Sequence, residues 1–234
     1  VDILPENINF PDGTLPREEL SAFCANYGNV HIDLMIIGVV EDGQIGFNEP
    51  GSYTKSRTRL VQLTHDSRKV QSGAFFGLEN TPKMAITMGL ETIMSAKKIV
   101  LMMWGEEKTE IAKHLIEGEV SENYPATYLQ GHRNIHVVID EAAAQELTRV
   151  KEPWLIAPPT EWTPKLIRKA VIWLCQTVDK PILKLTHQDY IKNSLSDLLE
   201  RVGTYDSIIV LNIEYLLILI LMLLLCLFQF LLLM

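Results

Sequence analysis

Cysteine is scarce in these 234 residues: only Cys24, Cys175 and Cys226, with no C-x-x-C pair among them. Three scattered thiols cannot all pair, which argues against a disulfide framework and a cysteine-built zinc site and for a reducing compartment. A basic excess is missing too. Lys and Arg number 21 against 29 Asp and Glu, a formal net charge of −8. Nucleic-acid binding wants a basic face, so no nucleic-acid partner is expected. His31, His114, His132, His136 and His187 lack metal-ligand spacing, and neither a metal nor a cofactor is expected. The opening residues hold no basic stretch followed by an apolar one, so no secretory leader is expected and the cytoplasm is the expected location. The chain starts at Val1 rather than Met and reads as a fragment whose true start lies upstream.

Long apolar runs are absent until the end. Residues 215–234 are apolar except for Gln229, and as a helix they reach across a bilayer core of roughly 30 Å. No Lys or Arg flanks them. Either this is a membrane anchor, or it is an out-of-frame end replacing a native continuation after Asp206 or Ser207. The abrupt shift in composition favours the second, and a membrane partner follows only from the first.

What is present is an alternation of strand and helix patterns. Residues 14–25 read as a helix with Pro16 in its first turn and an apolar stripe of Leu20, Phe23 and Cys24. The β-branched run at 32–38 reads as a parallel strand covered on both faces. Strands are also expected at 59–63, at 99–104 and at 135–139, with a short strand or turn at 84–89. Helices are expected at 65–76 (with Asp66 as its cap), at 90–96, at 106–116 (with Ile111, Leu115 and Ile116 inward) and at 141–147 behind an Asp140 cap. Trp104 and Trp154 read as packing residues. Such alternation argues for a parallel sheet with crossover helices, the α/β class. Residues 1–150 form this part. A proline-rich linker and helical extension at 151–206 follow, with Thr163 and Thr186 capping helices through Cys175 and Val202. Residues 207–234 make the apolar tail.

The chemistry concentrates in Gly38-Val-Val-Glu-Asp-Gly-Gln-Ile-Gly-Phe-Asn-Glu-Pro-Gly-Ser52, directly after the first strand. Ligands of open α/β sheets sit outside the carboxyl ends of the strands. Here Asp42 and Glu49 are carboxylates close to glycines, and Asn48 is an amide. By itself the stretch is also a polar strand-to-helix turn with an Asp-Gly signal.

This stretch resembles the glucosamine-6-phosphate deaminase/isomerase signature, G-x-G-x-D-G-H-I-x-F-N-E-P. Ser56-Arg-Thr-Arg-Leu60, Leu63-Thr-His-Asp-Ser-Arg68, Pro82-Lys83, Ala85-Ile-Thr-Met-Gly89, Gly105-Glu-Glu-Lys108 and Glu117-Gly118 follow the same family in order. The resemblance covers about residues 1–150. It implies a Rossmann-like sheet, incomplete here at the N-terminus, and the conversion of glucosamine 6-phosphate and water into fructose 6-phosphate and ammonia. It implies a small sugar phosphate as partner and a homo-oligomer in the intact protein. Asp42 and Glu49 fall on the two loop carboxylates that orient a ring-opening histidine, and Lys108 on a phosphate-binding lysine. Ser52 and Arg59 fall on a regulatory sugar-phosphate pocket.

The sequence departs from this pattern. Gln44 holds the histidine position, and glutamine does not titrate. Val40 replaces a glycine, Val61 replaces a lysine of the regulatory pocket, and Ser72-Gly-Ala-Phe-Phe76 offers no arginine before the Phe pair. The phosphate loop and the proton-abstracting aspartate are expected upstream of Val1. Three readings follow: a deaminase, a catalytically impaired or non-catalytic sugar-phosphate-binding relative, and a 6-phosphogluconolactonase-like esterase. The Phe47-Asn-Glu-Pro50 and Ser56-Arg-Thr-Arg59 segments favour the deaminase branch over the esterase.

Overall fold

The computed structural model describes residues 2–203 and Ile208. It divides the chain into two compact units, the first ending at Leu147 and the second beginning at Thr148. Apart from Ile208, the apolar tail, Cys226 included, lies outside the described residues. Among those described, no helix is long and apolar enough to cross a membrane.

In the first unit, α1 (Arg17–Tyr27) leads into β1 (Leu34–Gly38). An antiparallel pair follows, β2 (Arg59–Gln62) and β3 (Met84–Thr87), with α2 (His65–Gln71) between them. Then come α3 (Leu90–Met94), β4 (Lys98–Met103), α4 (Thr109–Glu117), β5 (Ile135–Ile139) and α5 (Glu141–Ala144). The main sheet is parallel in the order β1-β4-β5, with Ile36 opposite Val100 and Leu101 opposite Val137. This is the expected α/β class. The residues at 59–62 and 84–87 do not join that sheet: among the described residues they pair with each other, so the 84–89 segment is a strand through Thr87.

The alternation of side chains along a strand decides what is buried. On β4, Ile99, Leu101 and Met103 point into a core completed by Leu90 and Ile93 of α3 and by Ile111, Ala112 and Leu115 of α4. The opposite face is not covered as expected. Leu34 and Ile36 of β1 are 51% and 58% exposed, because among the described residues the helices cover one face only. Ile116 also departs from the reading, since it turns to solvent one position beyond Leu115. Trp104 is exposed rather than packed, because the strand has ended and Gly105, at φ +93°, turns the chain away.

Helix ends follow their caps. Pro16 sits at the N-cap of α1, ahead of the helix rather than in its first turn, which moves the start to Arg17. Thr64, not Asp66, caps α2: its hydroxyl accepts from the Ser67 amide at 3.2 Å. The α2 helix stops at Gln71 and tightens into a 3-10 turn through Phe75, closed by Phe76 at φ +57°. Asp140 caps α5 as expected, accepting from Ala143 N at 2.8 Å.

The second unit is helical: α6 (Thr148–Lys151), α7 (Pro164–Val178), α8 (His187–Lys192) and α9 (Ser196–Val202). The proline-rich stretch is no free linker. Its Trp154 is buried and packs with Trp162 and Trp173 at ring separations of 6.4 and 5.6 Å. The single helix expected behind Thr186 is two, because Ser194 adopts φ +63° and the chain turns between them. Asp189 completes a capping box with Thr186 and pairs with Lys180 at 2.7 Å. The Lys180 ammonium, with help from the Thr186 hydroxyl and amide, holds the Asp189 carboxyl at about 2, below its ordinary 3.8. A depressed carboxylate stabilises the fold at a pH above its unfolded value, and that contribution disappears as pH falls from about 4 to about 2. Urea midpoints across this window should fall for the wild type, and Asp189→Asn should flatten that dependence.

Candidate functional site

Asp42, Gln44, Glu49 and Ser52 lie on the loop after β1 and Lys108 on the turn after β4, neighbouring parallel strands, while Arg59 opens β2 of the antiparallel pair. After β1 the chain turns sharply: Gly43 N donates to Val40 O at 2.9 Å and Val40 N to Gln44 O at 3.0 Å. Gly43 takes φ +80°, and a Cβ there would stand 2.8 Å from the Tyr124 backbone and 3.0 Å from Ile111. Only glycine fits this turn. It aims Asp42 back at the loop, where Oδ1 accepts from the Gln44 amide at 2.9 Å.

Asn48 locks the far end of the loop. It is fully buried, and its Nδ2 donates to Ile45 O at 2.9 Å and Met88 O at 2.7 Å. Its Oδ1 accepts from Arg59 Nη1 at 2.9 Å. Arg59 is thus half-buried, and desolvation lowers its guanidinium pKa below the ordinary value. This is a built contact rather than a free charge on a strand edge. Glu49 is held from α2: its Oε1 accepts from Thr64 N at 3.1 Å and Thr64 Oγ1 at 3.0 Å, and from the Ser67 hydroxyl.

Gln44 is buried, 5% exposed. Its amide donates to Gly46 O at 2.7 Å, and its Oε1 lies 3.1 Å from Ser67 Oγ. Ser67 has one proton and two acceptors nearby. A carboxylate is the stronger acceptor, so the proton goes to Glu49 and Gln44 Oε1 sits beside it without a full bond. Ser67 therefore joins position 44 to Glu49. It escaped notice in the sequence, although its place three residues after the Thr64 cap puts it in the first turn of α2, facing the loop.

Lys108 ends the 3-10 turn that follows β4 and stands at the N-cap of α4. Its side chain is 17% exposed, and Nζ lies 3.2 Å from Oε1 of Glu41, which is 61% exposed. Glu41 had drawn no attention in the sequence. The structure distributes the expected residues other than Lys108 over two cavities. One, of about 150 Å³, is lined by Glu41, Asp42, Gln44, Phe47, Asp66 and Ser67. The other, of about 290 Å³, brings Ser52 and Arg59 together with Glu49, Tyr53 and Val61. Glu49 lines the second and reaches the first through Ser67. Another cavity of about 430 Å³, between α1 and β2, shares only Arg59 with the expected residues. Among the described residues, no cluster of His, Cys, Asp and Glu is arranged to hold a metal ion.

Chemically the loop offers two fixed carboxylates, a buried amide where an acid–base group would be useful, and one desolvated ammonium at a helix N-terminus. Removing the Asn48 amide would orphan Arg59 and two carbonyls, an unsatisfied buried network. Asn48→Ala should cost about 2–3 kcal/mol, read as a lower urea midpoint with an unchanged slope.

The sequence profile of glucosamine-6-phosphate isomerases/6-phosphogluconolactonase matches residues 16–138. A glucosamine-6-phosphate deaminase-like protein of Bacteroides thetaiotaomicron is 46% identical over 209 residues, which is 87% of this chain and 31% of that protein. A stretch of that length runs beyond the first unit into the helical one. The glucosamine-6-phosphate deaminase of Beutenbergia cavernae is 44% identical over 154 residues, 63% of this chain and 58% of its own. A solved structure described as a monomeric glucosamine-6-phosphate deaminase of the NagB superfamily superposes with a TM-score of 0.55 at 38% identity. That match covers 58% of this chain and 57% of the other. The chain thus spans about a third of the first relative's length and less than two thirds of the others'.

Proposed function

The chain belongs to the glucosamine-6-phosphate isomerase/6-phosphogluconolactonase family, and from that premise we propose that it is part of a glucosamine-6-phosphate deaminase. The reaction takes glucosamine 6-phosphate and water to fructose 6-phosphate and ammonia. The relatives named deaminases, at 38–46% identity, support this branch. The observation that carries the reading is the meeting of Lys108, after β4, with Glu41 of the loop after β1 that also holds Asp42 and Glu49.

In this reading Lys108 binds the substrate phosphate. It is mostly desolvated and stands at the N-terminus of α4, where backbone amides and the helix dipole add to its pull on an anion. Asp42 and Glu49 border the place where the sugar ring opens. Opening requires a proton to move at the ring oxygen, ordinarily the task of a group titrating near neutrality. Gln44 can hold a hydrogen bond there but cannot carry the proton. The ring-opened sugar also exists in solution, so this chain acts on the open form, and ring opening limits the rate. Ser52 and Arg59, sharing one cavity, are the proposed regulatory pocket, weakened by Val61. Homo-oligomerisation of the intact protein belongs to the same reading.

The rival is a non-catalytic sugar-phosphate-binding relative, favoured by one observation, the buried and non-titrating Gln44. Ammonia release from glucosamine 6-phosphate by the full-length protein separates the two. Gln44→His should raise kcat about a hundredfold, the usual worth of a general acid–base group. If wild type and Gln44→His both bind the sugar phosphate and neither releases ammonia, the non-catalytic reading stands instead. Lys108→Met should raise KM about tenfold or more, the worth of a charge-assisted hydrogen bond.

A further inference from the structure

We propose that Glu41 is an internal competitor at the phosphate site: its carboxylate occupies the Lys108 ammonium in the free protein and must be displaced before a phosphate can bind. The inference rests on the reading of Lys108 as a phosphate ligand and adds an internal competitor to it.

The geometry is asymmetric. Lys108 is 17% exposed, and Glu41 is the partner found for its Nζ among the described residues, at 3.2 Å. An ammonium so desolvated needs a counter-charge. Glu41, by contrast, is 61% exposed on the turn after β1. Its carboxylate can swing into water at little cost, because it is already mostly hydrated. Lys108 has no such freedom. An incoming anion therefore meets an occupied lysine whose occupant can leave.

The surroundings sharpen the effect. Glu41, Asp42 and Asp66 line one small cavity beside Gln44 and Ser67. A phosphate bound at Lys108 with Glu41 still in place would face unscreened carboxylates. Glu41 thus lowers the affinity of the site by the same factor for any anion that binds at Lys108, a bare phosphate or a phosphate ester. A neutral glutamine at position 41 would remove the competitor without removing the side chain.

The test is equilibrium binding to the full-length protein by titration calorimetry, with two probes: inorganic phosphate and sorbitol 6-phosphate, an open-chain ester that has no carbonyl to react. Glu41→Gln should tighten both by the same factor, about two- to fivefold. Lys108→Met should weaken sorbitol 6-phosphate and abolish the gain, so that the double variant binds no better than Lys108→Met alone. Glu41 is exposed, and unchanged urea midpoints will confirm that its variant folds. Equal affinities in wild type and Glu41→Gln, with Lys108→Met still weakening binding, would overturn the proposal and leave the phosphate reading intact. The same gain in the Lys108→Met background would also overturn it, since the effect would then be general charge removal. Absence of sorbitol 6-phosphate binding in every form would remove both the proposal and the phosphate reading.

Discussion

The first unit depends on one buried amide. Asn48 is the point at which the loop after β1, Met88 just after β3 and the side chain of Arg59 on β2 meet. The parallel sheet and the antiparallel pair share no strand hydrogen bonds. Asn48 supplies polar contacts that a sheet edge would otherwise provide. Every polar atom of that side chain is engaged, so its orientation is fixed. The next residue, Glu49, inherits that fixity. Its carboxylate arrives at the first turn of α2 because the backbone before it has nowhere else to go. The position of a charged loop residue thus follows from a neutral one beside it.

This order of dependence explains what was legible beforehand. β1, β4 and β5 could be read from runs of apolar and β-branched residues, since burial selects such runs. The signature loop could be read because its glycines and carboxylates are rare together. Burial on a single sheet face could not be read, as Leu34 and Ile36 look the same whether covered or bare. Nor could the pairing of β2 with β3, which is a choice of partner rather than of conformation. The break at Ser194 hid in a sequence without glycine or proline, where a left-handed serine leaves no compositional mark. Thr64 was missed as the cap of α2 for a plainer reason: Asp66 offers an equally good capping side chain two residues on, and only the backbone path decides between them.

The candidate site divides in the same way. Asp42, Gln44, Glu49, Lys108, Ser52 and Arg59 were legible because they fall within ordered motifs. What joins them was not. Ser67 belongs to a helix cap in the sequence and to the loop in space. Glu41 is one acidic residue beside another until the parallel pairing of β1 and β4 brings Lys108 to it, 67 residues later in the chain. Long-range pairings are set by sheet order, and sheet order is not a local property.

The placement of Gln44 carries a final consequence. A histidine in that space would have Asp42 behind its backbone and the Ser67 hydroxyl at its ring, with Glu49 one hydrogen bond further on. Those carboxylates would favour an imidazolium, adding a positive charge at the centre of an acidic cavity. Glutamine keeps the hydrogen-bonding shape and omits the charge. The cavity therefore keeps its carboxylates without an internal cation, and Lys108 remains the ammonium within reach of its rim. One lysine must then answer both the loop's own acids and any anionic ligand. The pairing of Lys108 with Glu41 is the form that competition takes when no ligand is bound. The loss of a titrating group at position 44 and the occupation of Lys108 are two sides of one charge balance, set within the turn that Gly43 makes possible.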